Sequence, residues 1–464
     1  MTVERGKLGL WMCTALVVGN MIGSGVFLLP ASLAPYGLDS VAAWLLTAGG
    51  AMVLAVVFAG LGKAFPTIGG PYAYTRMAFG DLAGFIVAWG YWVSIWTGNA
   101  AIATGGVSYL GHMFPTLADQ PWSALATVAM VWLFTAFNLL GARTAGLVQL
   151  VTTVLKLMPL LAVAGLGVWL LATHRAAVSQ AVHAAPPLRL DAITAAAALT
   201  LWAFLGLESA TIPAGKVHDP RRTIPRATLF GTALTAVVYI LACTTVMALI
   251  PAERLAVSAA PFAEVAQMFW GSHAGDILAA FAAISAMGAL NGWILLHGEL
   301  PFQMSRQGVF PKIFGRESRR GAPAASLIIG STLVSVMVLL NSSKSTVHLF
   351  TFVLLLATAV SLVMYLACAL AALKLMASGR IAGARTQWGL ALASLIAAAY
   401  ALWAIAGAGI VTGAVCGAAT ICWASWSENP VYLGALLLAL GVPVFYLMRR
   451  RNPSADPDAT AKPA

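Results

Sequence analysis

Three places in the chain set residues that can do chemistry inside surroundings that should exclude them. The first is Gly19-Asn20-Met21-Ile22-Gly23-Ser24-Gly25, with three glycines in an otherwise continuous apolar run. The second is Trp202-Ala203-Phe204-Leu205-Gly206-Leu207-Glu208-Ser209, where a glycine and an acid interrupt another such run. The third is Lys156, which opens the apolar stretch Lys156-Leu157-Met158-Pro159. Glycine weakens a helix and lets its backbone unwind. Freed amides at a helix N-terminus bind a carboxylate, and carbonyls released by a break accept from an ammonium group. Together the two breaks would receive the α-carboxyl and α-amino groups of an amino acid. A glycine in an apolar helix taken alone more often means close packing. Two breaks at matching places, the second beside a buried acid, favour binding.

The elements that carry these residues follow from composition. Of 464 residues, 60% are hydrophobic and 9% charged, and the mean hydropathy is +0.88. A water-soluble domain cannot hide that much apolar surface, so lipid is the expected solvent. Hydropathy places twelve spans at roughly 8–35, 40–62, 81–112, 122–140, 145–172, 190–215, 226–250, 273–300, 323–340, 347–373, 387–408 and 429–448. The first apolar stretch is too long for the core of a secretory signal. The expected fold is an all-α integral membrane protein of twelve transmembrane helices. At membrane depth unwound backbone is tolerated only where it is buried or lines a cavity. Breaks in spans one and six therefore suggest a five-plus-five inverted repeat.

The net charge of +11 is an orientation signal. With the N-terminus inside, all Lys and Arg residues except Arg175, Arg189, Arg254, Lys344 and the buried Lys156 fall in cytoplasmic segments. Both termini are then cytoplasmic by the positive-inside rule, and a nucleic-acid partner is not expected. Residues 1–448 read as one membrane domain and 449–464 as a disordered cytoplasmic tail. The Gly- and Ala-rich segment Gly407 to Trp426 reads as the end of span eleven plus an outer loop, with a re-entrant segment as the alternative. The five cysteines form no CxxC pair or Cys/His cluster, so neither metal nor cofactor is expected. No P-loop, GxSxG or HExxH sequence occurs, which leaves ATP-driven transport and the common hydrolases without support.

A charge at the bilayer centre costs roughly 2.5–3.5 kcal/mol even on the milder insertion scales, so each needs a reason. For Glu208 the functional reading is a gate and proton-sensing carboxylate, against a hydrogen-bonded structural acid. Lys156 lies about eleven residues into span five, roughly 16 Å along the helix, too deep for easy snorkelling. It reads either as a proton-coupling group or as a fixed cation held by broken-helix carbonyls. His297 could relay protons, but a satisfied interface histidine is the preferred reading. Trp89, Trp92 and Trp96 recur at helical spacing and read as packing.

With the glycine motif of span one, the sequence carries Gly69-Gly70-Pro71-Tyr72-Ala73-Tyr74, then Leu201 to Ala210, then Gly292-Trp293. In these motifs, and over nearly the whole chain to about residue 408, it resembles the amino acid–polyamine–organocation superfamily. Within it, the resemblance is nearest to the basic amino acid/polyamine antiporters of the bacterial arginine/agmatine type. The resemblance implies a five-plus-five inverted repeat with two extra helices, a homodimer in the bacterial inner membrane, and alternating access. It also implies a site. Ser24 and Gly25 match carboxylate-binding amides, and Met21, Trp202 and Leu205 match positions whose carbonyls hold the α-amine, with Asn20 in the same motif. Trp293 matches an aromatic that stacks on a cationic side chain, and Asn99 the amide that hydrogen-bonds it. Tyr91, Glu208, Tyr365 and Trp202 match gates. Three pocket positions depart from the antiporter pattern: Ser94 stands for an alanine, Ile95 for a cysteine and Ala357 for a guanidinium-contacting serine. At the position of Lys156, proton-coupled members of the superfamily also carry a lysine.

The leading expectation is a secondary transporter of cationic amino acids or polyamines, working by exchange or proton coupling. Its rival is a proton symporter of neutral amino acids, favoured by Lys156, Ile95 and Ala357. A sensor or channel ranks lower because the chain shows no output domain, and an enzyme lower still because Glu208 has no evident catalytic partner.

Overall fold

The computed structural model describes residues 9–23, 25–66, 70–140, 142–173, 187–211, 217–306, 308–318, 321–381, 384–411 and 429–451. Its named elements are all helices. The first half runs through α1 (Leu10–Met21), α2 (Gly25–Leu33), α3 (Gly37–Ala64), α4 (Pro71–Phe79), α5 (Asp81–Met113), α6 (Trp122–Leu139) and α7 (Ala142–Thr173). The second runs through α8 (Leu190–Leu201), α9 (Pro220–Leu249), α10 (Ala252–Leu255), α11 (Pro261–Trp270), α12 (Ser272–Arg306), α13 (Ala324–Leu340) and α14 (Thr346–Ala377). Three helices follow: α15 (Ala384–Val411), α16 (Pro430–Ala439) and α17 (Gly441–Arg451). By length and composition, nine stretches of the described residues could each cross a membrane, one of them Gly25–Ala64 counted whole. Leu10–Met21 and Ala324–Leu340 are apolar but shorter.

Three prolines mark helix starts that hydropathy passes over. Pro71, Pro220 and Pro261 each occupy a first helical turn, where the missing N–H costs nothing. Thus α9 begins at Pro220, ahead of the expected 226, because Arg221 and Arg222 lower the local hydropathy while the backbone is already helical. The short helices α4 and α11 lie between the expected spans. At the chain's end α17 continues through Arg451, so the helix outlasts the boundary expected at 448. The expected outer loop after Val411 and the tail beyond Arg451 lie outside the described residues.

The two halves repeat one pattern. The first opens on a helix that stops and restarts, the second on a helix that gives way at Trp202 to short 3-10 turns, and four longer helices follow in each. The packing is reciprocal as well. The second long helices, α3 and α9, pack together, and so do the third, α5 and α12. α1 packs on α9 as α8 packs on α3, and α7 on α12 as α14 on α5. An inverted repeat related by an axis in the membrane plane produces such exchanged partners. α15 lies against α3, α8 and α14, where Gly50 and Gly60 face Tyr400 and Leu390 closely. Lipid-sized apolar side chains remain exposed on the outside, among them Leu45, Trp169, Trp388 and Leu402.

Candidate functional site

The site begins where α1 ends. Ile22 leaves the helix with φ −78° and ψ 100°, while its N–H still donates to Val18 O at 2.8 Å. The next three carbonyls lose their helical partners, and three other helices supply replacements. Lys156 Nζ on α7 donates to Gly19 O at 3.1 Å, Trp293 Nε1 on α12 to Asn20 O at 3.3 Å, and Tyr239 Oη on α9 to Met21 O at 2.7 Å. Buried carbonyls demand such partners, so the break is held open from three sides. Ser24, an expected ligand, lies outside the described residues.

The second break is tighter. α8 passes into a 3-10 turn at Trp202–Phe204, Leu205 is extended at φ −63° and ψ 134°, and Gly206 has φ +103°. Only glycine adopts that backbone without strain. A Cβ on Gly206 would stand 3.2 Å from the carbonyl carbon of Asn20. The two breaks therefore meet backbone to backbone.

A cavity of about 30 Å³ lies between them. The first break contributes Asn20, Met21, Gly23, Gly25 and Val26; the second contributes Trp202, Ala203, Leu205 and Glu208. α5 adds Tyr91, Ser94, Ile95, Gly98 and Ile102, α12 adds Trp293, and α14 adds Ser361. That volume admits a water or two, so a lysine-sized guest enters only when a wall moves. Trp202 packs closely on two glycines of the cavity lining. Its indole fills the space where Gly25 would carry a Cβ, and its Cη2 would be 2.9 Å from a Cβ on Gly98.

Glu208 is 1% exposed, and both carboxylate oxygens are held. Tyr91 Oη donates to Oε1 at 2.9 Å and Tyr365 Oη to Oε2 at 2.7 Å. α5, α14 and the second break are thus pinned at one point, which unites the residues expected as a gate. Lys156 is fully buried at the opposite side of the first break, on the Gly19 carbonyl.

Two expected ligands lie elsewhere. Ala357 is fully buried yet does not line the cavity; α14 instead presents Ser361, one turn further along the same helical face. Asn99 does not line the cavity either, and its Nδ2 meets His297 Nδ1 at 2.9 Å. His297 is satisfied there and at Leu327 O, 3.2 Å from Nε2, which matches its reading as an interface histidine. Met21 O, expected for the α-amine, is already engaged by Tyr239, a partner sequence reasoning did not reach. Gly98, Ile102 and Ser361 were also missed. Their signal was periodic: 91, 94, 95, 98 and 102 share one face of a helix, and so do 357, 361 and 365. Trp89 and Trp92 pack as expected and also act as bolts. Their indoles donate to Leu437 O at 2.8 Å and His297 O at 3.1 Å.

Among the described residues no cluster of His, Cys, Asp and Glu suits a metal ion. The arrangement offers binding and gating without an evident nucleophile–base pair.

Several known proteins are similar to this chain. A family model described as amino acid permease matches residues 8–428. The cadaverine/lysine antiporter of Escherichia coli K12 is 37% identical over 338 residues, covering 72% of this chain and 74% of the relative. A putative arginine/ornithine antiporter of Bacillus subtilis is 34% identical over 440 residues, covering 87% and 92%. The putrescine transporter PotE of Escherichia coli K12 is 32% identical over 363 residues, covering 78% and 82%. Among solved structures, a mutant manganese transporter of Eremococcus coleocola matches with a TM-score of 0.56 at 14% identity, covering 96% of each chain. At that identity the likeness concerns the fold alone.

Proposed function

We infer that this chain, which belongs to the amino acid permease family, exchanges cationic amino acids or polyamines across the membrane by alternating access. One observation carries the reading: two broken helices meet around a small cavity lined in part by an acid that tyrosines from two other helices clamp. A site of that form binds at the repeat interface and opens to one side at a time. The relatives supply the substrate class. The names of three of them contain lysine and cadaverine, arginine and ornithine, or putrescine, all amines with a cationic end. In this reading Gly25 and its neighbour Ser24 receive the carboxylate, Trp293 faces the cationic side chain, and Tyr91, Trp202, Glu208 and Tyr365 gate. Arginine with agmatine is one candidate pair. We further propose twelve crossings with both termini cytoplasmic, and a homodimer in a bacterial inner membrane.

Proteoliposomes test this directly. Labelled lysine or arginine should enter only when unlabelled cationic substrate is loaded inside. Uptake into empty vesicles, driven by an inward proton gradient, would instead support symport of neutral amino acids. That second reading is favoured by Lys156, whose ammonium holds the carbonyl of Gly19 in the break itself.

A further inference from the structure

Two serines line the cavity, Ser94 on α5 and Ser361 on α14, and both are buried. The course of the two helices sets them at one height. At the end of α14, Lys374 Nζ stands 4.9 Å from the ring centre of Phe79, and just beyond it Arg380 Nη1 donates to Met77 O at 3.3 Å. Phe79 and Met77 lie in α4, directly ahead of α5. α5 therefore leaves the end at which α14 arrives, and the two run antiparallel. Tyr91 and Tyr365 meet on Glu208, which puts them level. Ser94 follows Tyr91 by three residues and Ser361 precedes Tyr365 by four. Both serines thus rise from the clamp in the same direction, by roughly 4.5 and 6 Å.

This level of the cavity offers acceptors beside a charge. Ser94 Oγ donates to Tyr91 O at 2.8 Å; with its one hydrogen committed, it presents lone pairs alone. Ser361 Oγ carries lone pairs as well. Glu208 brings a negative charge, and phenols already hold both its oxygens, so direct hydrogen bonds to a guest fall to the serines. A primary ammonium has three N–H donors on one water-sized centre and no acceptor. A guanidinium has five in a planar fork. Two hydroxyls leave one donor of the ammonium over, but three of the fork, beside the apolar Ile95 of the same wall. A buried donor without a partner is costly, and such unpaired groups are what reject a wrong substrate.

We propose that Ser361, together with Ser94, selects substrates ending in a primary ammonium over those ending in a guanidinium, by accepting from that ammonium one turn beyond the Glu208 clamp. This rests on the cationic-substrate reading above and names the cationic end. On α14 the position expected to contact a guanidinium is Ala357, which is off the cavity lining, and the hydroxyl stands one turn nearer the acid.

The test compares lysine, arginine and norleucine, the last matching lysine in chain length without its ammonium. Affinities are measured by calorimetric titration on the purified full-length protein in detergent. Wild type is expected to bind lysine about tenfold more tightly than arginine, and norleucine more weakly than lysine. Ser361→Ala should weaken lysine about tenfold, the loss of one hydrogen bond to a charged group. Arginine should lose less than about threefold, and norleucine should be unchanged. Ser94→Ala should shift the preference in the same direction. If Ser361→Ala does not yield folded protein, Ser361→Cys keeps the volume with a poor hydrogen-bonding group and should give the same lysine-selective loss. Arginine bound by wild type as tightly as lysine, undiminished lysine affinity in the Ser361 variants, or losses there equal to those of arginine or norleucine overturn this proposal alone. A wild type that binds norleucine as tightly as lysine overturns the cationic-substrate reading with it.

Discussion

Lys156 and Glu208 are equally buried and held in opposite manners. Glu208 is clamped at both oxygens by phenols from two helices, whereas Lys156 reaches a main-chain carbonyl. Removing Lys156 leaves Gly19 O unpaired, at a cost of about 1–3 kcal/mol. If the lysine couples protons, uptake by Lys156→Ala in proteoliposomes loses its response to an imposed proton gradient. A lowered melting temperature with an unaltered pH profile would make the lysine a scaffold. Trp293 both lines the cavity and ties its indole to Asn20 O. A cation over an indole contributes about 0.5–2 kcal/mol, so Trp293→Ala should weaken lysine or arginine binding roughly three- to thirtyfold, and norleucine much less. Undiminished binding of the cationic ligands would refute the assigned pose.

At the scale of elements, the breaks are the working parts, and each survives because other helices satisfy its backbone. Three side chains from α7, α9 and α12 replace the partners lost at the end of α1. The second break depends on Gly206, where φ is +103° and the neighbouring atoms belong to Asn20. Forcing a Cβ into that conformation costs on the order of 1–3 kcal/mol. Gly206→Ala is therefore expected to lower the melting temperature in detergent and abolish exchange, because the breaks can no longer touch. Gly206→Ala protein with wild-type stability and exchange would show that the contact is dispensable.

For the whole molecule, reciprocal packing between halves suits the proposed alternating access. The same partners are available to both halves with their directions reversed, so a rocking motion costs similar contacts each way. Orientation is measurable. The cysteines at 13, 243 and 368 are buried, which keeps background labelling low once Cys416 and Cys422 are replaced by serine. In that background, a cysteine at position 344 should react with an impermeant thiol reagent in intact cells, and one at position 316 only after permeabilisation. The reverse pattern would invert the proposed topology.

Solvent, helix class and the two breaks were legible in sequence. They depend on local properties: a run of apolar residues demands lipid, and glycine weakens a helix wherever it stands. Gly23, Gly206, Glu208 and Lys156 could be singled out because each violates its own surroundings. What those residues touch was decided by the tertiary structure. Tyr239 reaches Met21 across 218 positions of sequence, and no local signal announces such a pairing. Ser361 rather than Ala357 faces the cavity because helix rotation is set by packing, and hydropathy is blind to rotation in a helix apolar all round.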